Sequence, residues 1–255
     1  MSPENNIQLI VFDIDGVLTE GETRALDLDL LAGLARLNRL ARRDGSVPAA
    51  TICSGRPAQY VELMLQAIDG RVPGVFENGA GLYVPESYRY LTNPAITDGN
   101  LIPRVRARLE ETLVSAGRAY FQPGKEHSLT LFASQPDELP ELERLASEAL
   151  GELHESVDLV YSTSCINVLP RQIDKGTGVG FLAEYTGTGL GRMLGVGDSD
   201  VDLQFLKEVG YSAAPANANP AVKAAVDYVS PYRTGEGVRD ILAHFNIPLK
   251  DSEKP

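Results

Sequence analysis

Cysteine is scarce in this sequence: of 255 residues only Cys53 and Cys165 carry a thiol. Two are too few for the disulfide framework of a small secreted domain, and their separation does not suit a zinc site. They fit a reducing compartment. Long apolar runs are also missing. Nowhere do about 18 apolar residues follow one another, so no helix is expected to span a membrane. The first residues, Met1-Ser2-Pro3-Glu4-Asn5-Asn6, hold neither a basic stretch nor an apolar signal core, and the expectation is a cytoplasmic protein. Positive charge is the third shortage. Twenty-three Lys and Arg stand against 35 Asp and Glu, a formal net charge of −12. This argues against nucleic acid as a partner, because its phosphates are bound through basic residues. Local groups such as Arg36, Arg39, Arg42 and Arg43, or Arg104, Arg106 and Arg108, read as solvated helix faces. Internal repeats and low-complexity tracts are absent, and the polar tail at 250–255 is expected to be disordered.

What the chain does have begins at Ile7. The run Ile7-Gln8-Leu9-Ile10-Val11-Phe12 reads as a short buried strand, and Asp13-Ile14-Asp15-Gly16-Val17-Leu18-Thr19 follows it at once. Residues two apart on a strand share a face, so both carboxylates are expected to point into one site. Two like charges side by side in a buried place call for a proton or a cation between them. The plainer alternative is a strand followed by an acidic turn.

Leu26, Leu30, Leu34, Leu37 and Leu40 recur at helical spacing and predict a helix over 26–43, ended by Asp44-Gly45. A second strand, Ala49 to Cys53, runs into Ser54-Gly55-Arg56-Pro57; a helix over 57–68 and a third strand with a turn over Gly74–Ala80 come next. This alternation predicts an α/β fold: a Rossmann-like parallel sheet core with helices on both faces. Ligands of such sheets bind beyond the carboxyl ends of the strands, where Asp13, Asp15 and Ser54 fall. Past about residue 83 the rhythm changes to helices over 100–116 and 137–150 with strands at Ser128–Phe132, Val157–Tyr161 and Cys165–Leu169. The α/β rhythm returns after Pro170, with a helix over 175–186, a strand at Met193–Val196 and a helix over 200–208. Residues 84–168 are therefore expected to form an inserted α+β cap domain, and 1–83 with 169–255 the core.

A second acidic cluster, Gly197-Asp198-Ser199-Asp200-Val201-Asp202, again follows a short strand. A calcium loop does not fit, since Leu203 and Val209 stand where glycine and glutamate are needed. A dinucleotide loop fails for want of a third glycine. The glycines at 176, 178 and 180 read as flexible connections or helix ends. Cys53 reads as an apolar filler rather than a nucleophile.

Four pieces thus stand in order: DIDGVLT after the first strand, SGRP after the second, one lysine in Ile173-Asp174-Lys175-Gly176, and GDSDVD after a late strand. This order resembles the haloacid dehalogenase-like superfamily of phosphohydrolases over nearly the whole chain. The insertion between the second and third pieces resembles the large α/β cap of its IIB (Cof-like) subgroup. Glu77-Asn78-Gly79-Ala80, Asn217-Ala218-Asn219-Pro220 and Thr234-Gly235-Glu236-Gly237-Val238 also match. Two positions depart from the pattern: Val17 replaces a common threonine, and Val201 a common asparagine. DIDGVLT is also similar to the capless sugar-acid phosphatases, which an insertion of this size does not fit.

The resemblance implies that Asp13 attacks phosphorus and forms an aspartyl-phosphate, while Asp15 protonates the leaving alcohol and then activates water. It implies Mg²⁺ held by Asp13, the backbone carbonyl of Asp15 and Asp198, with Asp202 as a supporting ligand. A like-charge pair at 4 Å costs about 4 kcal/mol at an effective dielectric of 20, which a divalent cation would offset. Lys175, Ser54 and the backbone near Gly16 and Gly55 would bind the phosphoryl group. Lys175 as a simple helix-start lysine and Ser54 as an N-cap remain open alternatives. Arg56 is either a substrate contact or part of an ion pair, and Asn217 either lines the site or caps a turn. Arg118, Lys125 and His127 are candidate cap contacts, with solvated surface as the alternative. The expected function is a Mg²⁺-dependent phosphomonoesterase for a small phosphorylated metabolite, either a sugar phosphate or phosphoglycolate-like. A sugar phosphomutase and a non-catalytic binding protein are the alternatives. The sequence leaves the oligomeric state open.

Overall fold

The computed structural model describes residues 6–21, 23–161 and 164–249. The tail at 250–255, expected to be disordered, lies outside the described residues. The chain divides into two compact units, Met1–Leu91 with Asp174–Pro255, and Thr92–Ile173.

In chain order the first unit opens with β1 (Leu9–Phe12), α1 (Leu28–Asp44), β2 (Ala49–Ile52), α2 (Ala58–Ala67), β3 (Gly74–Phe76), β4 (Gly81–Val84) and β5 (Arg89–Thr92). The second unit holds α3 (Leu101–Leu109), β6 (Ala119–Phe121), β7 (Leu129–Ala133), α4 (Leu139–Leu150), β8 (Val157–Tyr161) and β9 (Ile166–Pro170). The first unit resumes with α5 (Lys175–Thr186), β10 (Met193–Val196), α6 (Leu203–Leu206), β11 (Tyr211–Ala214), α7 (Pro220–Ala225), β12 (Tyr228–Val229) and α8 (Thr234–His244).

Five strands of the first unit form a parallel sheet in the order β12-β11-β10-β1-β2. The central strand β1 is apolar at every position because both sheet faces are covered. Its alternate side chains feed two cores. Ile10 and Phe12 join Leu34 of α1, Val61 of α2 and Ile241 of α8. Leu9 and Val11 join Val179 of α5 and Phe205 of α6. Helix α1 starts where the Asp27 carboxylate accepts the Leu30 N–H at 2.9 Å. It ends where Gly45 adopts φ 66° and its N–H reaches the Ala41 carbonyl. The expected Asp44-Gly45 stop is thus present, and the start falls two residues after the expected 26 because Asp27 caps the helix.

The third strand differs from expectation. β3 pairs antiparallel with β4 in a separate three-stranded sheet, β3-β4-β5, and keeps the expected parallel direction beside β2's end in a Cys53–Val75 bridge. Its three residues are followed at once by left-handed backbone at Glu77, Asn78 and Gly79, which turns the chain back instead of into a crossover helix. That hairpin also keeps residues 84–91 in the first unit. At the other end, β9 stays paired with β8 through Pro170 and so keeps 169–173 in the second. In the second unit, β6-β7-β9-β8 form an antiparallel sheet. One face packs Leu129, Leu131, Ile166 and Val168 against Val105 of α3 and Leu142 of α4. Among the described residues no helix is long and apolar enough to cross a membrane.

Helix α1 offers a direct check of this packing. Leu34 is fully buried, whereas Leu28 on the same helix is 70% exposed. Leu34→Ala is expected to lower the unfolding free energy by about 2–5 kcal/mol. Leu28→Ala should stay within about 0.5 kcal/mol of the parent. Urea titrations of the two variants measure both.

Candidate active site

Register brings the site together. Phe12 at the end of β1 lies level with Ile52 of β2 and Val196 of β10. The chain therefore leaves three neighbouring parallel strands at one edge, carrying Asp13, Ser54 and Asp198 with it. The backbone locks this level, since Asp13 donates to the Val196 carbonyl at 2.9 Å and Cys53 to that of Phe12 at 2.8 Å.

Asp13 is 5% exposed and Lys175 2%. Lys175 is the first residue of α5, whose start is fixed by reciprocal bonds between Asp174 and Thr177. From there the Lys175 ammonium donates to Asp13 Oδ1 at 2.7 Å and to Asp202 Oδ1 at 2.6 Å. The lysine starts a helix and also reaches the acidic cluster. Asp202 is fully buried, and its other oxygen, Oδ2, accepts from the N–H groups of Asp198 and Ser199 and from the Ser199 hydroxyl. Asp202 thus organises the loop and holds Lys175 in place. Carboxylate oxygens of Asp13, Asp198 and Asp202 lie within 4.8 Å of one another.

The electrostatics follow from this crowding. Burial, then the Asp202 and Asp198 carboxylates, push Asp13 well above the ordinary carboxylate range, against the pull of Lys175. Burial and Asp202 push Asp198 up to about 7. Burial by itself would lower Lys175, but Asp13 and Asp202 outweigh it and hold the ammonium charged well above its usual range. Asp198 Oδ1 is, among the described residues, the buried side-chain oxygen without a hydrogen-bond partner. An orphaned buried oxygen beside two further carboxylates is the donor set that a hard divalent cation requires, and the residues present fit one.

Asp15 follows Asp13 into the same loop, and its charge adds to the push on Asp198. The strand ends at Phe12, so its period of two no longer applies. The Asp15 carboxylate turns to Arg56, taking Nε at 2.7 Å and Nη2 at 2.8 Å, while the guanidinium lies over the Tyr60 ring at 4.9 Å. Arg56 is therefore an ion-pair partner in this structure. Ser54 is 1% exposed, and its hydroxyl accepts the Arg56 N–H at 3.2 Å. It does not cap α2, whose N-cap position is Pro57. Asn217 donates to the Gly16 carbonyl at 2.8 Å and accepts from the Thr234 N–H at 2.9 Å, which ties the loop after β1 to the start of α8. Burial raises the Cys53 thiol far above its usual range, which suits a filler and not a nucleophile.

Two supports escaped the sequence reading. Asn78 at φ 56° packs its side chain where a Gly55 Cβ would stand, 2.8 Å from Oδ1, and its N–H reaches the Ser54 carbonyl. The Asn-Gly pair, tolerant of left-handed backbone, was the available signal. Gly178, read as a flexible or helix-end glycine, lies inside α5. A Cβ there would fall 2.4 Å from the Gly79 Cα, so the helix carrying Lys175 seats against this turn.

Gly16 has φ +87°, and a Cβ on it would fall 2.1 Å from Asp198 Oδ2. Gly16→Ala is therefore expected to lower stability by roughly 1–3 kcal/mol, measured by urea unfolding.

A family profile described as haloacid dehalogenase-like hydrolase matches residues 124–242. A phosphoglycolate phosphatase of Methanothrix thermoacetophila is 38% identical over 99 residues, 39% of this chain and 45% of that protein, so the match spans under half of that relative. One from Methanopyrus kandleri is 29% identical over 92% of this chain and 95% of its own length. Among solved structures, a haloacid dehalogenase-like hydrolase from Bacteroides thetaiotaomicron superposes with a TM-score of 0.73 at 18% identity, covering 93% of this chain and 99% of that one. A sugar phosphatase of subclass IIB gives 0.69 at 19% identity, covering 94% of this chain and 100% of its own. The ordered motifs and the sheet that delivers them to one edge accompany this profile match over residues 124–242, and the chain is similar to haloacid dehalogenase-like hydrolases over nearly its whole length.

Proposed function

We propose that this hydrolase is a Mg²⁺-dependent phosphomonoesterase of a small phosphorylated metabolite, working through an aspartyl-phosphate on Asp13. One observation carries the reading: a buried aspartate at the end of the central strand, 2.7 Å from a buried lysine and flanked by further carboxylates. The names of the relatives, phosphoglycolate phosphatases, support the substrate class.

In this reading an Asp13 oxygen attacks phosphorus and the bond to the leaving oxygen breaks, with Asp15 supplying the proton that the alcohol takes away. Water then attacks the aspartyl-phosphate, Asp15 accepts its proton, and phosphate leaves with Asp13 restored. Each Asp15 oxygen accepts one bond from Arg56 and keeps a second lone pair for the proton. Lys175, Ser54 and the Gly55 N–H are assigned to the phosphoryl oxygens. Asp13, the Asp15 carbonyl and Asp198 would hold Mg²⁺, which supplies charge neutralisation as one anion approaches another. Asp202 supports the arrangement through Lys175 and the Asp198 loop. A cytoplasmic location belongs to the same reading.

Asp13→Asn is expected to reduce phosphate release by roughly 10³-fold or more while thermal unfolding stays cooperative. A folded variant with near-normal turnover would remove Asp13 from the nucleophile's role. Activity should vanish in EDTA, return with Mg²⁺ and fail to return with Ca²⁺, which prefers more ligands at longer distance. Free phosphate, rather than an isomerised sugar phosphate, as the product separates this reading from a phosphomutase.

A further inference from the structure

The loop after the fourth parallel strand also enters the site, and the chemistry proposed above gives it no role. β11 lies beside β10 in parallel register, with Ala213 level with Val196. The loop over 215–219 therefore emerges at the edge that carries Asp198. Its backbone is fastened on two sides. Asn219 donates to the Asp198 carbonyl at 2.8 Å, and Ala216 to the Tyr232 carbonyl at 2.7 Å. Gly237, in the first turn of α8, closes the second side, because a Cβ on it would fall 2.9 Å from the Pro215 Cβ. The loop is thus held between the Asp198 loop and the start of α8.

Asn217 stands at the centre of this loop, and both ends of its amide are engaged. Nδ2 donates to the Gly16 carbonyl at 2.8 Å and reaches Asp198 Oδ2 at 3.4 Å, while Oδ1 accepts from the Thr234 N–H at 2.9 Å. Two acceptors and one donor fix which end of the amide is nitrogen. The Thr234 N–H is one of the donors that a helix start leaves unpaired, and Thr234 holds it out at φ 43°, a costly backbone for a β-branched residue. Asn217 therefore caps α8 with one end and meets the site with the other. Asp198 depends on that contact. Its carboxylate rests on Gly16, and its Oδ1 is orphaned. Among the described residues no other side chain donates to it, since Lys175 goes to Asp13 and Asp202 instead.

We propose that Asn217 is a positioning residue for Asp198: one amide holds Oδ2 and the Gly16 carbonyl, and so leaves Oδ1 ready for a divalent cation. The inference rests on the assignment of Asp198 to the cation in the phosphatase reading. Asparagine suits the place because it combines two donors with an acceptor on a short stem. Alanine or leucine would supply neither donor, and the carboxylate could then turn about its own bonds. A ligand that must be ordered when the ion arrives binds it more weakly.

The test separates positioning from mere support. Thermal unfolding is followed with Mg²⁺ alone, without substrate and at constant ionic strength, for the parent, Asn217→Ala, Asn217→Leu and Asn217→Gln. An ion that binds the folded protein raises Tm as its concentration rises. Loss of a structural tie lowers Tm in EDTA and leaves the Mg²⁺ dependence in place. Loss of positioning shifts that dependence: Asn217→Ala and Asn217→Leu should need about tenfold more Mg²⁺ for the same rise in Tm. Asn217→Gln, whose amide is displaced by one methylene, should shift in the same direction by less, and it decides the matter if the other two do not fold. The Mg²⁺ requirement for phosphate release from an aryl phosphate should move in parallel, with KM for the ester at saturating Mg²⁺ within about twofold of the parent. An unmoved Mg²⁺ dependence in the folded variants, or a parent whose Tm ignores Mg²⁺, overturns the assignment. A parent that responds to Mg²⁺ but releases no phosphate counts against the phosphatase reading, and the Tm shifts still decide for Asn217.

Discussion

Three carboxylates and one ammonium, almost withdrawn from solvent, set the terms for the rest of the first unit. With Asp13, Asp198 and Asp202 ionised against Lys175, three negative charges meet one positive and leave −2. An ion removed from water costs several kcal/mol unless it is paired, and here the pairing is incomplete. The raised Asp13, Asp198 pushed up to about 7, and the orphaned Asp198 oxygen all express this deficit. A divalent cation would remove it. The surrounding backbone serves the same balance: two N–H groups and a hydroxyl spend their bonds on Asp202.

Such a concentration of charge can exist only on a rigid frame. The frame is the parallel sheet, in which β1, β2 and β10 end at one level. Close packing then fixes the remaining pieces. Gly16 admits Asp198, Gly55 admits the Asn78 side chain, and Gly178 admits the backbone of Gly79. Each of these contacts excludes a side chain larger than hydrogen, which makes the loops around the site a set of mutual fits.

Much of this was legible in the residues. An apolar run ending in aspartates gave β1 and its site edge, and the leucine period with Asp44-Gly45 gave α1 and its stop. The order of DIDG, SGRP, Lys175 and GDSDVD placed their residues at one sheet edge before any geometry was known. The misses have a common cause, in that each depended on a partner distant in sequence. β3 has the composition of a parallel strand but pairs with β4. Gly178 reads as flexibility until Gly79 is seen against it. The cap alternative for Ser54 fails because the chain turns at Pro57 before α2 begins. The Asp15 ion pair could not be read locally either, since Arg56 lies beyond the next strand. Lys125, one of three basic candidates, is set apart by its burial against Thr130 and Asn167, which meet only across two strands.

The central claim is that the Asp13 carboxylate itself takes the phosphoryl group. The most direct measurement is acid quench of the enzyme during turnover of a phosphate ester, reduction with borohydride, and mass spectrometry of the peptide that contains residue 13. The account predicts homoserine at position 13, formed only when substrate is present. Unmodified aspartate there, under conditions in which phosphate is being released, would contradict it.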